Sequence, residues 1–337
     1  MSKKISLKDI ADQVGVSTAL VSYVINGQEK EKRVGKKMAN KIRQVAKELN
    51  YNPNQIARSL RKGSTKTIGL IVADISNPFF GNMARVVEDE ADKYGYTVIF
   101  GSSDEDPQKS ASLIESLVNR QVDGFIIAPV ENTEDQIKTL IDRKIPVVLI
   151  DRFLKGVESN YVVLDNYGAT FSAVELLLKK GYQKIGMLSY QSKLVHMEER
   201  VNGYKDSMTK AGLEDTICLG EIRYNCLKDD VKNVLDDYTS GQNKMEAIIF
   251  ATNSLTIAGM YYFMDNNVNI PDDIAVIGFD GSAAFDFFYS PITYIEQPIN
   301  KMGKKSVKQL LLHIEDENSV YKQEKLEHKL IERASCG

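Results

Sequence analysis

The side chains from which hydrolytic, redox or metal chemistry is built are few in this chain and poorly spaced for it. Its three histidines, His196, His313 and His328, lie far apart, none in an HExxH pattern or beside a candidate nucleophile. Its three cysteines, Cys218, Cys226 and Cys336, are an odd, scattered set that makes neither a disulfide framework nor a zinc site. The GSTK at 63–66 lacks the GxxxxGK frame of a phosphate loop, and no GxGxxG occurs. Catalysis has little to work with, and neither cofactor nor metal is expected. Charge carries the stronger signal. Residues 1–62 hold 14 Lys or Arg against 5 Asp or Glu, a net of +9, and the rest holds 29 against 41, a net of −12, which together give the overall −3. A basic module on an acidic body points to a polyanion partner for one part only, since neutralising phosphates is the main electrostatic source of nucleic-acid affinity. The alternative is a solvated charged face.

The elements that would present this charge can be read from periodicity. Leu7, Ile10, Ala11 and Val14, then Leu20, Val21 and Val24, then Met38, Ile42, Val45, Ala46 and Leu49 recur at helical spacing and predict three short helices. Ser6, with Asp9 three residues on, and Ser17 are placed to cap the first two, and Gly15 sits where the turn between them needs positive φ. This is a helix-turn-helix pattern, whose second helix, about Thr18 to Asn26, is narrow enough to enter the major groove. After Asn52-Pro53, NQIARSLRKGSTK reads as one or two helical turns ending at Gly63-Ser64. From TIGLIVADI onward, apolar strand-like runs alternate with amphipathic helices through IPVVLIDR. The alternation restarts after a helix at 167–181, continuing through KIGMLSY and AIIFAT to IAVIGFD. Repeated strand-helix-strand units imply parallel sheets covered on both faces, here two half-barrel-like halves with a ligand cleft between them.

At 337 residues the chain suggests two or three domains. Its 43% apolar and 26% charged content is that of an ordinary globular protein. No apolar run approaches the roughly 18 to 20 residues of a membrane helix. The opening MSKKISLKDIADQVG has no apolar core after its lysines, so a cytoplasmic location is expected.

Beyond these patterns, the chain resembles the lactose/galactose-repressor (LacI/GalR) family over essentially its whole length. The resemblance rests on SLKDIADQVGVSTALVSYVING, ELNYNPNQIARSLRKGSTKTIGLIV, NPFF, the ER and GY of 199–204, IPDDIAVIGFD, PITYIEQPINKMG and LIERAS, in that order. It implies an α/β sensor of two periplasmic-binding-protein-like subdomains with parallel sheets, preceded by an all-α helix-turn-helix head. The expected divisions are 1–52 for the head, 53–66 for a hinge helix and linker, and 67–337 for the two-lobed sensor. It also implies a homodimer on a pseudo-palindromic double-stranded DNA operator, controlled by a small molecule, with a saccharide as the leading class. Carried over position by position, base reading falls to Thr18, Ala19 and Tyr23, and phosphate contacts to Ser17, Ser22 and Asn26. In the hinge, Asn54, Ala57 and Leu60 match minor-groove positions, Leu60 as an apolar wedge. Effector contacts fall to Phe79, Phe80, Asp151, Arg200, Tyr224, Asn253, Asp280 and Gln297. That set is chemically coherent, because carboxylates, amides and a guanidinium can bond adjacent hydroxyls while rings stack on a sugar's C–H face.

The chain departs from the family in its head. Many members carry Arg where Tyr23 stands, and tyrosine cannot make the bidentate pair that Arg makes with guanine. About three extra residues lie between Asn26 and Val34, and Gly35 replaces the usual hydroxyl cap of the third helix. Two rival readings remain on the same scaffold: a solute-capturing binding protein, against which the basic head speaks, and an enzyme, for which no nucleophile and base pair is found.

Overall fold

The computed structural model describes residues 5–51 and 64–337, and the chain divides into two compact units at Thr65–Lys66. The hinge positions Asn54, Ala57 and Leu60 lie outside the described residues.

The first unit is α1 (Leu7–Val14), α2 (Thr18–Ile25) and α3 (Lys36–Glu48). A reciprocal cap starts α1: Ser6 Oγ accepts from the Asp9 N–H at 3.3 Å, and Asp9 Oδ2 accepts from the Ser6 N–H at 2.7 Å. Gly15 ends the helix at φ +80°, where a side chain would be strained. Ser17 Oγ takes the Leu20 N–H at 3.2 Å and opens α2, whereas α3 begins at Gly35 without a side-chain cap. The long connection between α2 and α3 winds back on itself. Gln28 N–H donates to Tyr23 O at 2.8 Å, Val34 N–H to Glu29 O at 2.7 Å, and Glu29 pairs with Arg43 of α3 at 2.5 Å. Ile10, Val21, Val24 and Ile42 fill the centre, at the helical spacing expected.

The second unit holds two six-stranded sheets. The first lobe contains β1 (Thr67–Val72), α4 (Pro78–Asp92), β2 (Thr97–Ser102), α5 (Pro107–Asn119), β3 (Gly124–Ile127), α6 (Glu134–Asp142), β4 (Val147–Asp151) and β5 (Asn160–Leu164). The second contains α7 (Asn166–Lys179), β6 (Ile185–Tyr190), α8 (Val195–Lys210), β7 (Cys218–Ile222), α9 (Leu227–Ser240), β8 (Ala247–Phe250), α10 (Asn253–Asp265), β9 (Ala275–Phe279), α11 (Ala283–Phe287) and β10 (Thr293–Glu296). The chain then returns to the first lobe with α12 (Ile299–Glu315), which packs on α4, β3, β4 and β5, and with β11 (Gln323–Leu326). It ends in the second with β12 (Lys329–Ile331). Strand orders are β11-β5-β4-β3-β1-β2 and β12-β10-β9-β8-β6-β7.

The sheets are parallel except that β12 runs antiparallel to β10. Both are open, and the strand order reverses at β1 and at β6, a doubly wound arrangement in place of the half-barrel-like one expected of the halves. Strands such as β4 and β9 are buried along their whole length, as covering helices on both faces require. Asn77-Pro78 and Asp106-Pro107 set the starts of α4 and α5, the acceptor side chain capping and the proline fitting the first turn. Three crossings join the lobes, at Asp165, at Gln297-Pro298 and at Glu327-His328.

Candidate functional site

In the first unit, Ser17, Thr18 and Ala19 are exposed at the N-terminal end of α2, the end a reading helix presents to base edges. Tyr23 is half-buried one turn on from Ala19, with Lys32 Nζ 5.9 Å from its ring centre. Ser22 is buried at 9% exposed, unlike Ser17, Thr18 and Ala19, and Asn26 Nδ2 donates to both its carbonyl (2.8 Å) and its hydroxyl (3.2 Å). Asn26 and Ser22 are thus coupled to each other at the end of α2.

In the second unit, strand ends converge between the lobes. Asp151 and Asp280 close β4 and β9, which hold equivalent places in the two sheets, and both adopt left-handed backbone at φ +69° and +62°. Aspartate tolerates that conformation better than most residues, yet two such turns at one site are local strain of the kind that gathers where side chains must be aimed. Arg200 comes from α8. Its Nε donates to Asn166 Oδ1 at 2.8 Å, its Nη1 to the Ala251 carbonyl at 2.6 Å, and its guanidinium lies 3.6 Å from the Phe279 ring centre. Asn253 Nδ2 donates to the Asp280 carbonyl at 3.1 Å, and Gln297 Nε2 to the Asp280 carboxylate at 2.8 Å. Burial raises the Asp280 carboxyl to about 6, against the pull of Arg200 and Gln297 and with a further push from Asp151. Burial also lowers Arg200, which Asp280 and Asp151 oppose.

Two cavities flank this polar cluster. One, of about 540 Å³, is lined from both lobes, by Asp74, Phe80, Glu105, Arg152 and, from the second lobe, Tyr190, His196 and Tyr224 among others. The other, of about 870 Å³, lies by the crossings and is lined by Asn82, Asp280, Gln297 and His328 among others. The structure therefore bonds Asn253 and Gln297 to Asp280, while Arg200, held by Asn166 and the Ala251 carbonyl, and Asp151 are coupled to Asp280 electrostatically. It sets Phe80 and Tyr224 on the wall of the smaller cavity, where Tyr224 Oη reaches across to Asp74 at 3.4 Å. Phe79 stands apart, packed edge-on to Phe80 in the first lobe's core.

Arg152 and His196 were missed by sequence reasoning. Arg152 Nη1 bonds both Glu105 oxygens at 3.0 Å and its Nε bonds Asp151 at 3.2 Å. Burial alone would lower its pKa, but the Glu105 and Asp151 carboxylates outweigh it and the net shift is upward. His196 is buried between the two arginines with Nδ1 unpartnered, and burial, then Arg152 and Arg200, hold it well below the usual histidine range. The available signal for Arg152 was a second charge directly after Asp151 at the end of the apolar run VVLI, where a charge is placed for a reason other than solvation. His196 gave none.

No helix among the described residues is long and apolar enough to cross a membrane, and no group of His, Cys, Asp or Glu there is arranged to hold a metal ion. A helix-turn-helix unit joined to a two-lobed ligand-binding sensor defines a ligand-responsive, DNA-binding transcription regulator. Residues 6–54 match the family model of bacterial regulatory proteins, lacI family, and residues 68–286 that of a periplasmic binding protein domain. The HTH-type transcriptional regulator RegA of Clostridium saccharobutylicum is 30% identical over 98% of both chains. The crystal structure of the lac repressor dimer bound to operator and the anti-inducer ONPF matches at TM-score 0.86 and 21% identity, over 99% of both chains. A LacI family regulator from Enterococcus faecium with bound ribose matches at TM-score 0.70 and 24% identity, over 80% of this chain and 98% of that one. The chain belongs to the lacI family of bacterial regulatory proteins.

Proposed function

We propose that this regulator is a cytoplasmic repressor, acting by binding rather than catalysis, whose effector is a saccharide held between the two lobes. In this reading residues 1–52 are the reading head, 53–66 the hinge and linker, and 67–337 the sensor. Thr18, Ala19 and Tyr23 meet base edges, Ser17, Ser22 and Asn26 the phosphates, and Asn54, Ala57 and Leu60 the minor groove. Two copies read a two-fold operator, because one short helix covers only a few base pairs. The ribose bound by the Enterococcus faecium protein and the operator in the lac repressor complex are the precedents.

The observation that carries the effector reading is the buried polar cluster of Arg200, Asp280, Asn253 and Gln297 beside cavities lined from both lobes. Fixed donors and acceptors of this kind suit adjacent hydroxyls, and Phe80 and Tyr224 supply apolar faces. A ligand touching both lobes favours one inter-lobe angle, and it shifts that equilibrium only through its differential affinity. Coupling between the sites is reciprocal, on the order of 5- to 150-fold for a typical ~1–3 kcal/mol.

The test begins with a thermal-shift panel of sugars on the full chain, followed by operator titration with and without the hit. Arg200→Ala abolishes the response to that sugar and leaves sugar-free operator affinity close to normal. Equal operator affinity of the unaltered protein with and without the sugar removes the switch from this reading.

A further inference from the structure

The smaller inter-lobe cavity carries a charge pattern that restricts what can enter it. Five carboxylates line it, those of Asp74, Asp104, Glu105, Asp106 and Glu131, and Arg152 is the one Lys or Arg among the described lining residues. That guanidinium is already bonded to Glu105 and Asp151. Lys109 pairs with Asp104 from outside the cavity. The other carboxylates are held by neutral donors. Asp74 accepts from the Ser76 N–H and hydroxyl, both at 2.8 Å, Asp106 from the Gln108 N–H at 2.8 Å, and Glu131 from the Ser192 hydroxyl at 2.6 Å and the Lys193 N–H at 2.8 Å. Deeper in, Arg152 and Arg200 balance Asp151 and Asp280, so the rim's charge is left over. His196, lining the same wall and held in its neutral form, adds no positive charge.

A phosphoryl or carboxylate group is bound by charge-assisted bonds from cations free to make them, usually Arg or Lys. Here the lining cation is doubly neutralised, and the field of the rim repels anions while concentrating cations. We infer that the effector carries no anionic group, and that the cavity prefers a saccharide bearing an ammonium group over its neutral parent. This rests on the saccharide reading above and sharpens it.

Matched sets of probes decide the point: glucose, glucosamine, glucose 6-phosphate and glucuronate, with the corresponding galactose and mannose series, each titrated calorimetrically into the full-length protein. In whichever series binds, the amino sugar binds tighter than its neutral parent by roughly tenfold, the scale of one extra charge pair in a partly screened cleft. The advantage shrinks as salt rises toward 1 M. The phosphorylated and carboxylated members bind at least tenfold more weakly than the parent. Asp106→Asn removes a rim charge while keeping a good helix cap, so it folds and narrows the amino preference. Glu131→Gln is the second such variant. A phosphorylated or carboxylated sugar that binds as well as its parent, or an amino sugar that gains nothing, overturns the inference and leaves the saccharide reading standing. Silence from every neutral sugar overturns the saccharide reading itself, and this inference with it.

Discussion

Asp280 sits where its charge is least welcome. Burial brings its carboxyl to about 6 from the ordinary value of 3.8, so below pH 3.8 folded and unfolded chains both hold the proton and the site costs nothing. As pH rises through 6 the unfolded chain has already ionised and the folded one must follow, so stability falls across this window by about 3 kcal/mol at most. Asp280→Asn has no such dependence. Urea unfolding of both proteins at pH 4.5 and pH 7 therefore shows the wild type losing stability relative to the variant as pH rises; a pH-independent difference refutes the assignment. A buried acid kept at this cost is understandable if its bonding capacity is needed, since strain and desolvation collect where function demands them. The residue-level reading of the sequence named Asp280, Gln297, Asn253 and Arg200 because short motifs carried them, and the fold brings these four near one another. It could not find His196, one turn before Arg200 on α8, whose coupling to Arg152 depends on the first lobe meeting that helix, nor that Phe79 turns into the core while Phe80 faces the cavity.

At the level of elements, α2 carries the positions proposed to meet base edges. Its exposed end offers Thr18 and Ala19, and Tyr23 follows one turn later as its largest side chain. Tyr23→Ala costs roughly 1–3 kcal/mol at the preferred operator and relaxes selection at one base pair, with the salt dependence of binding unchanged. Competitive gel shifts with single-base operator variants read this out, and a uniform loss across all variants would make Tyr23 a packing residue instead. The three helices of the head and the alternating units from β1 to β9 were legible, β5 (Asn160–Leu164) apart, because their periods of 3.6 and their apolar runs are long and clean. The elements after β9 were not. The strand β11 reads QEKL and β12 reads KLI, short edge strands with little apolar signal, and the rich helical pattern of α12 says nothing about which lobe it joins. Its buried face, with Met302, Val307 and Leu310, turns out to belong to the first lobe, a fact set by tertiary packing alone. The connection between α2 and α3 was flagged by its length, but its anchoring by Glu29 to Arg43 needed coordinates.

For the whole molecule, pairing of two copies needs apolar surface. The second lobe exposes Tyr261 and Met264 one turn apart on α10, and Phe287 and Tyr289 at and just beyond the end of α11, with Phe287 87% exposed. Scattered apolar residues are normal, but a run of four large ones around two helices suits a subunit interface. Phe287→Glu accordingly shifts the protein toward monomer in sedimentation equilibrium and lowers operator affinity by at least tenfold, since paired half-sites are then read singly. A variant that stays dimeric with wild-type operator affinity removes this face from the assembly. The triple crossing between lobes has a consequence for how the chain is made. A domain usually folds as a unit once its sequence has emerged during synthesis. Here the first lobe lacks a core helix and an edge strand until residue 326 has been added, and the second lacks its last strand until residue 331. The reading head can thus mature early on the ribosome while both halves of the sensor wait for residues 326 and 331, so the part that touches DNA is finished well before the part that pairs and controls it.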